Sequence, residues 1–95
     1  MSARELVAFI VRQLVQQPEA VSVEEVIEER DRVIRVTVAR ADVGRVIGKE
    51  GRTAKAIRTL LGAAGMKLRR RFTLEIVEEK NGQKDGHHKA AAGVR

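Results

Sequence analysis

The chain has 95 residues, 43% of them hydrophobic, and a net charge of +6, which suits one small domain with a modest core and excludes two. It holds no cysteine and 2% aromatic residues, so disulfides and thiolate chemistry are ruled out and ring-stacking surfaces are disfavoured. The apolar run Leu6 to Val11 is too short to span a bilayer and is closed by Arg12, and no secretory leader precedes it, so the expected compartment is the cytoplasm.

In chain order, Ser2-Ala3-Arg4-Glu5 reads as a capping box that starts a helix. Leu6, Val7, Phe9, Ile10 and Leu14 recur at helical spacing behind it, and Pro18 ends the element. From Ala20 to Glu28 the apolar positions Val21, Val23 and Val26-Ile27 predict a strand with acidic residues on its wet side. The polar cluster Glu29-Arg30-Asp31-Arg32 then predicts a turn, and alternating Ile34, Val36 and Val38 a second strand, together a hairpin. Asp42 is placed to cap a short helix that runs to Ile47 and ends at Gly48. A further helix is predicted from Arg52 to Ala64, stopping at Gly65. Lys67 and Arg69-Arg70-Arg71 lead into Phe72, Leu74 and Ile76, a third strand with period two. Residues 80–95 show no apolar period and read as a flexible basic and polar tail, leaving 1–79 as the folded domain. The adjacent His87 and His88 in that tail lack a third ligand and a frame, so no metal site is expected.

The charge is unevenly spread. Residues 1–39 carry five Lys/Arg against seven Asp/Glu, residues 40–72 ten against two, and residues 73–95 four against four. The positive segment surrounds Gly48-Lys49-Glu50-Gly51. Two glycines flanking two residues let the main chain turn sharply and let a phosphate backbone come close, with the next helix presenting its first amides to an anion. Lys49 adds a mobile cation and Arg52 a donor fork suited to phosphate oxygens. Glu50 opposes this, so its carboxylate is expected to face solvent. A Gly-x-x-Gly sequence alone is also an ordinary turn between helices. Here Val46 and Ile47 before it, and Ala54, Ile57 and Leu61 after it, fix it between two amphipathic helices. A Walker A loop is excluded, because three residues separate Gly44 from Gly48 and Glu50 follows Lys49.

The helix-strand-strand-helix-helix-strand order, with Val-Ile-Gly-Lys-Glu-Gly-Arg and a following Ala-Ile, resembles the type II KH domain over roughly residues 3–79. The run from Asp42 to Arg58, and Pro18-Glu19-Ala20-Val21, are similar to the bacterial single-KH proteins of the KhpA type. The resemblance implies an α+β fold, a three-stranded mixed sheet with residues 33–40 as its middle strand, and three helices on one face. It also implies a groove for about four unpaired nucleotides. Carried over by position, Gly48, Lys49, Glu50 and Gly51 would clamp sugar-phosphate, Arg45, Arg52 and Lys55 would flank it, and Val46, Ile47 and Ala54 would form an apolar floor for bases. Arg58, Arg69, Arg70 and Arg71 are further candidates. Chains of this kind are implied to act as RNA chaperones or post-transcriptional regulators bearing on cell shape and wall growth, as homodimers or with a larger KH-containing RNA-binding partner.

Composition fits that module. The chain has no Trp or Tyr, and Phe9 and Phe72 both fall at positions read as core, whereas RRM, OB and cold-shock surfaces stack bases on exposed rings. Affinity at a lone site should therefore be modest, and a second binding surface would raise avidity. An enzyme would need an acid-base or nucleophilic set in a pocket, and none is legible. No cofactor, membrane or small-molecule substrate is expected. The alternatives are a scaffold or dimerisation module that uses the same fold, and single-stranded DNA in place of RNA.

Overall fold

The computed structural model describes residues 1–79; the tail, with its histidine pair, lies outside the described residues. Helix α1 spans Ala3–Leu14, β1 Ser22–Glu28, β2 Asp31–Ala39, α2 Val43–Ile47, α3 Arg52–Leu68 and β3 Arg71–Glu79, with short 3-10 turns at Pro18–Ala20, Arg40–Asp42 and Lys49–Gly51. The strands form one sheet in the order β1-β2-β3, with β1 antiparallel and β3 parallel to β2. This is the mixed α+β arrangement expected, with 31–39 as the central strand.

α1 begins as its sequence specifies. Ser2 Oγ accepts from the Glu5 amide at 3.1 Å and Glu5 Oε1 accepts from the Ser2 amide at 2.8 Å, closing the capping box. The Ser2 backbone bond holds the Glu5 carboxyl below its ordinary pKa. The helix buries Ala3, Val7, Ala8 and Val11, a stripe of small side chains that lets it lie close to its neighbours. Phe9, read as core, is 57% exposed. It sits about 200° round the helix from both Val7 and Val11, so it cannot share their side. Phe72 does pack against the core.

The hairpin turn is tighter than expected: only Glu29 and Arg30 lie outside the ladder, with Glu29 at φ 51, and Asp31 and Arg32 already belong to β2. Alternation along the strands sorts the sheet into two faces. Val23, Ile34, Val36, Val38, Leu74 and Ile76 point to the helices and join Val7, Val11, Val46, Ala54, Ile57 and Leu61 in one core. The opposite face carries the cross-strand row Glu24, Arg35, Glu75, where Arg35 Nε donates to Glu75 at 2.5 Å and Nη1 lies 3.8 Å from Glu24. The Glu75 bond raises the Arg35 pKa, keeping it charged. By the same alternation Glu28, Asp31, Glu79 and Arg71 stand on this face, so its acids outnumber its bases five to two.

α3 does not stop at Gly65. It continues to Leu68, and the left-handed residue that ends it is Arg69 at φ 57. Gly65 serves a spatial need: a Cβ there would stand 2.3 Å from the Arg70 carbonyl oxygen, while the Arg70 amide donates to the Gly65 carbonyl at 2.9 Å. The missing side chain lets the chain fold back over the helix into β3.

Candidate nucleic-acid interface

α2 and α3 meet at the glycine pair. α2 closes when Gly48 at φ 80, ψ 170 donates its amide to the Gly44 carbonyl at 2.8 Å. That conformation is open in practice only to glycine, and a Cβ there would meet Thr53 Oγ1 at 2.3 Å and the Thr53 backbone nitrogen at 2.8 Å. Glu50 at φ 57 and Gly51 at φ 74 are both left-handed, and the Gly51 amide donates back to the Gly48 carbonyl at 3.0 Å. The loop is thus a tight 3-10 turn that delivers the chain into α3 at Arg52. No side chain caps the N-terminus of α3, and the Arg52 amide donates to the Lys49 carbonyl, so what the helix start offers an anion is chiefly the positive end of its dipole.

The cations divide by their local partners. Arg45, Lys49, Arg52 and Lys55 are all exposed around the loop. Arg52 Nη2 lies 3.1 Å from Glu50 Oε1, both side chains at least two-thirds exposed. Glu50 therefore reaches solvent as expected, yet it also pairs with the Arg52 fork. Lys49 and Lys55 form no ion pair among the described residues. Arg45 Nε lies 3.4 Å from Asp42 Oδ1.

Asp42 departs from the sequence reading. It occupies the position before α2 but makes no capping bond there. Its side chain is 1% exposed and turns inward, where Oδ1 accepts from the Gln16 amide and Oδ2 from the Gln17 amide, each at 3.0 Å. The segment leaving α1 is thereby tied to the segment entering α2. Sequence reading missed this because the partners are backbone groups 25 and 26 positions away. In the sequence Pro18 marks only the end of the first helix, not the acceptor for the two amides before it.

Other expected residues are redistributed. Val46 and Ala54 have 0% exposure and belong to the core, so their side chains present no surface to a base; Ile47, half-buried at the loop, is the apolar side chain left there. Arg58 is half-buried on α3, and its Nη2 is enclosed without a hydrogen-bond partner among the described residues. Arg69, Arg70 and Arg71 are exposed at the far end of α3, separated from the loop by about 24 Å of helix. The basic segment of the sequence is therefore two clusters, and only one adjoins the glycines.

The described residues gather no group of three or more His, Cys, Asp or Glu that could hold a metal, and no helix among them is long and apolar enough to cross a membrane.

A family model described as "KhpA/KhpB, KH domain" matches residues 4–76. The chain belongs to that family. Similar KhpA relatives bear this out: "RNA-binding protein KhpA" of Chlamydia pneumoniae is 46% identical over 77 residues, which cover 81% of this chain and 99% of the relative. The protein of the same name from Caldanaerobacter subterraneus subsp. tengcongensis is 47% identical over 73 residues, covering 77% and 97%. That of Borreliella burgdorferi is 43% identical over 74 residues, covering 78% and 90%. The names of these KhpA relatives describe RNA-binding proteins and not enzymes.

Proposed function

We propose that this chain is a cytoplasmic RNA-binding protein that holds about four unpaired nucleotides along the loop from Gly48 to Gly51. The observation that carries the reading is the loop itself, a glycine-dependent turn at an α3 start that no side chain caps, with Lys49 exposed beside Arg45, Arg52 and Lys55. Backbone donors and flexible cations suit sugar-phosphate, and the aliphatic Ile47 suits a base without ring stacking. The relatives' shared name supports RNA as the ligand. The proposed role is that of an RNA chaperone or post-transcriptional regulator bearing on cell shape and wall growth, acting as a homodimer or with a larger KH-containing RNA-binding partner.

The test is filter binding of short single-stranded RNA to the wild type and to the Lys49→Asp/Glu50→Asp variant. The loop is exposed and aspartate tolerates the left-handed position, so the variant should fold. Wild-type binding that the variant loses supports the proposal, and equal retention sinks it. Competition between RNA and DNA strands of one sequence decides the sugar.

A second reading, a scaffold or dimerisation surface, is favoured by an open, mainly apolar groove of about 400 Å³ between the start of α1 and the end of α3, where Met1, Ala3, Leu6, Ala64 and Leu68 are flanked by Ser2 and Lys67. Its test is the oligomeric state of a Leu68→Glu variant. The two roles are compatible.

A further inference from the structure

Asp42 is the one buried charged residue among the described residues, and nothing in the RNA-clamping reading uses it. A carboxylate taken out of water needs donors on both oxygens, and here each oxygen has one main-chain amide, with a cation close by. The Gln16 and Gln17 amides each lie 3.0 Å away and fix the carboxylate from the α1 side. Arg45, three residues on in α2, forms an ion pair with it, Nε standing 3.4 Å from Oδ1. Arg45 is half-exposed, its side chain at 48%, so it can pair with Asp42 and still be reached from solvent.

We infer that Asp42 is a positioning residue for RNA binding: held rigid by two main-chain amides, it orients Arg45 so that the outer guanidinium nitrogens face the strand at the glycine loop. The inference rests on the RNA-binding reading above. A guanidinium is planar, so an ion pair made on its Nε side biases the direction of both Nη groups. An oriented fork gives more to a phosphate than the same charge on a roaming side chain, because less rotamer freedom is lost on binding. Arg52 offers the contrast. Its partner Glu50 is itself largely exposed, and such a pair exerts little hold.

Charge alone and orientation make opposite forecasts. Asp42→Asn removes a negative charge beside the proposed phosphate path, so simple Coulomb attraction forecasts tighter RNA binding. Loss of the anchor forecasts weaker binding, by roughly three- to tenfold.

The experiment measures fluorescence anisotropy of a short labelled single-stranded RNA with the full chain as wild type, Asp42→Asn, Arg45→Gln and the double variant, over a salt series, with thermal unfolding to confirm that each is folded. The expected result is that Asp42→Asn and Arg45→Gln weaken binding comparably, that the double variant is no weaker than Arg45→Gln, and that each flattens the salt slope by about 0.7, the contribution of one phosphate contact. A merely structural role for Asp42 would lower the melting temperature and leave the slope of the folded fraction unchanged. Folded Asp42→Asn that binds as tightly as wild type, or tighter, overturns the inference while leaving RNA binding intact. Wild type that does not bind overturns both. Should Asp42→Asn not fold, Arg45→Lys decides: it keeps the charge and lacks the planar fork, so weakening like Arg45→Gln supports the inference and wild-type affinity overturns it.

Discussion

The Thr53 hydroxyl oxygen stands 2.3 Å from where a Cβ on residue 48 would lie, with the Thr53 backbone nitrogen only 2.8 Å from the same point. The first turn of α3 is thus folded down onto Gly48, and the proposed binding loop and the helix start are a single packed unit.

Gly48→Ala is expected to cost about 2–4 kcal/mol, combining a backbone conformation foreign to alanine with a clash against main chain. Urea unfolding measures it. Adding Thr53→Ala should return only part of the loss, because the backbone nitrogen stays in place.

At the other end of α3 two substitutions should have opposite signs. Gly65→Ala drives a Cβ into the Arg70 carbonyl and should destabilise by about 1–3 kcal/mol. Arg69→Gly relieves a left-handed arginine and should stabilise by about 0.5–1 kcal/mol. A pair of thermal melts that moved in the same direction would contradict this account of the turn into β3.

Glu50→Gln removes the carboxylate that engages Arg52 and should tighten RNA binding by about two- to fourfold at low salt. With about three phosphates neutralised, the wild-type log-log salt slope on single strands should lie near −2. A slope near zero would contradict an electrostatic clamp.

The capping box makes a pH prediction at α1. Glu5 has a lowered pKa in the folded chain, so its contribution is fully present above the ordinary carboxylate pKa of about 4.3 and is lost as pH falls through the lowered folded value. The stability difference between wild type and Glu5→Ala should therefore be constant near neutrality and shrink in acid. Melting curves across that range read it directly.

Period-two and helical spacings made all six helices and strands legible, and Ser2 with Glu5 marked the first cap down to its bonds. What stayed hidden depended on three-dimensional neighbours that spacing alone does not name. Asp42 looks like a helix cap because caps are local, while its amides come from the far side of the fold. Gly65 looks like a helix stop because glycine favours left-handed turns, yet the position demands space and Arg69 takes the turn. The loop glycines and the cations beside them were legible as neighbours in sequence. Burial of Val46 and Ala54 was not, since apolar residues beside a binding loop read alike whether they face a ligand or the core. Nor could a run of basic residues disclose that a helix of about 24 Å parts its two ends.

The acidic face of the sheet, built on the row Glu24, Arg35, Glu75, stands opposite the helices. A polyanion is repelled there and drawn to the other hemisphere, so diffusional encounters are pre-sorted by orientation before any contact forms.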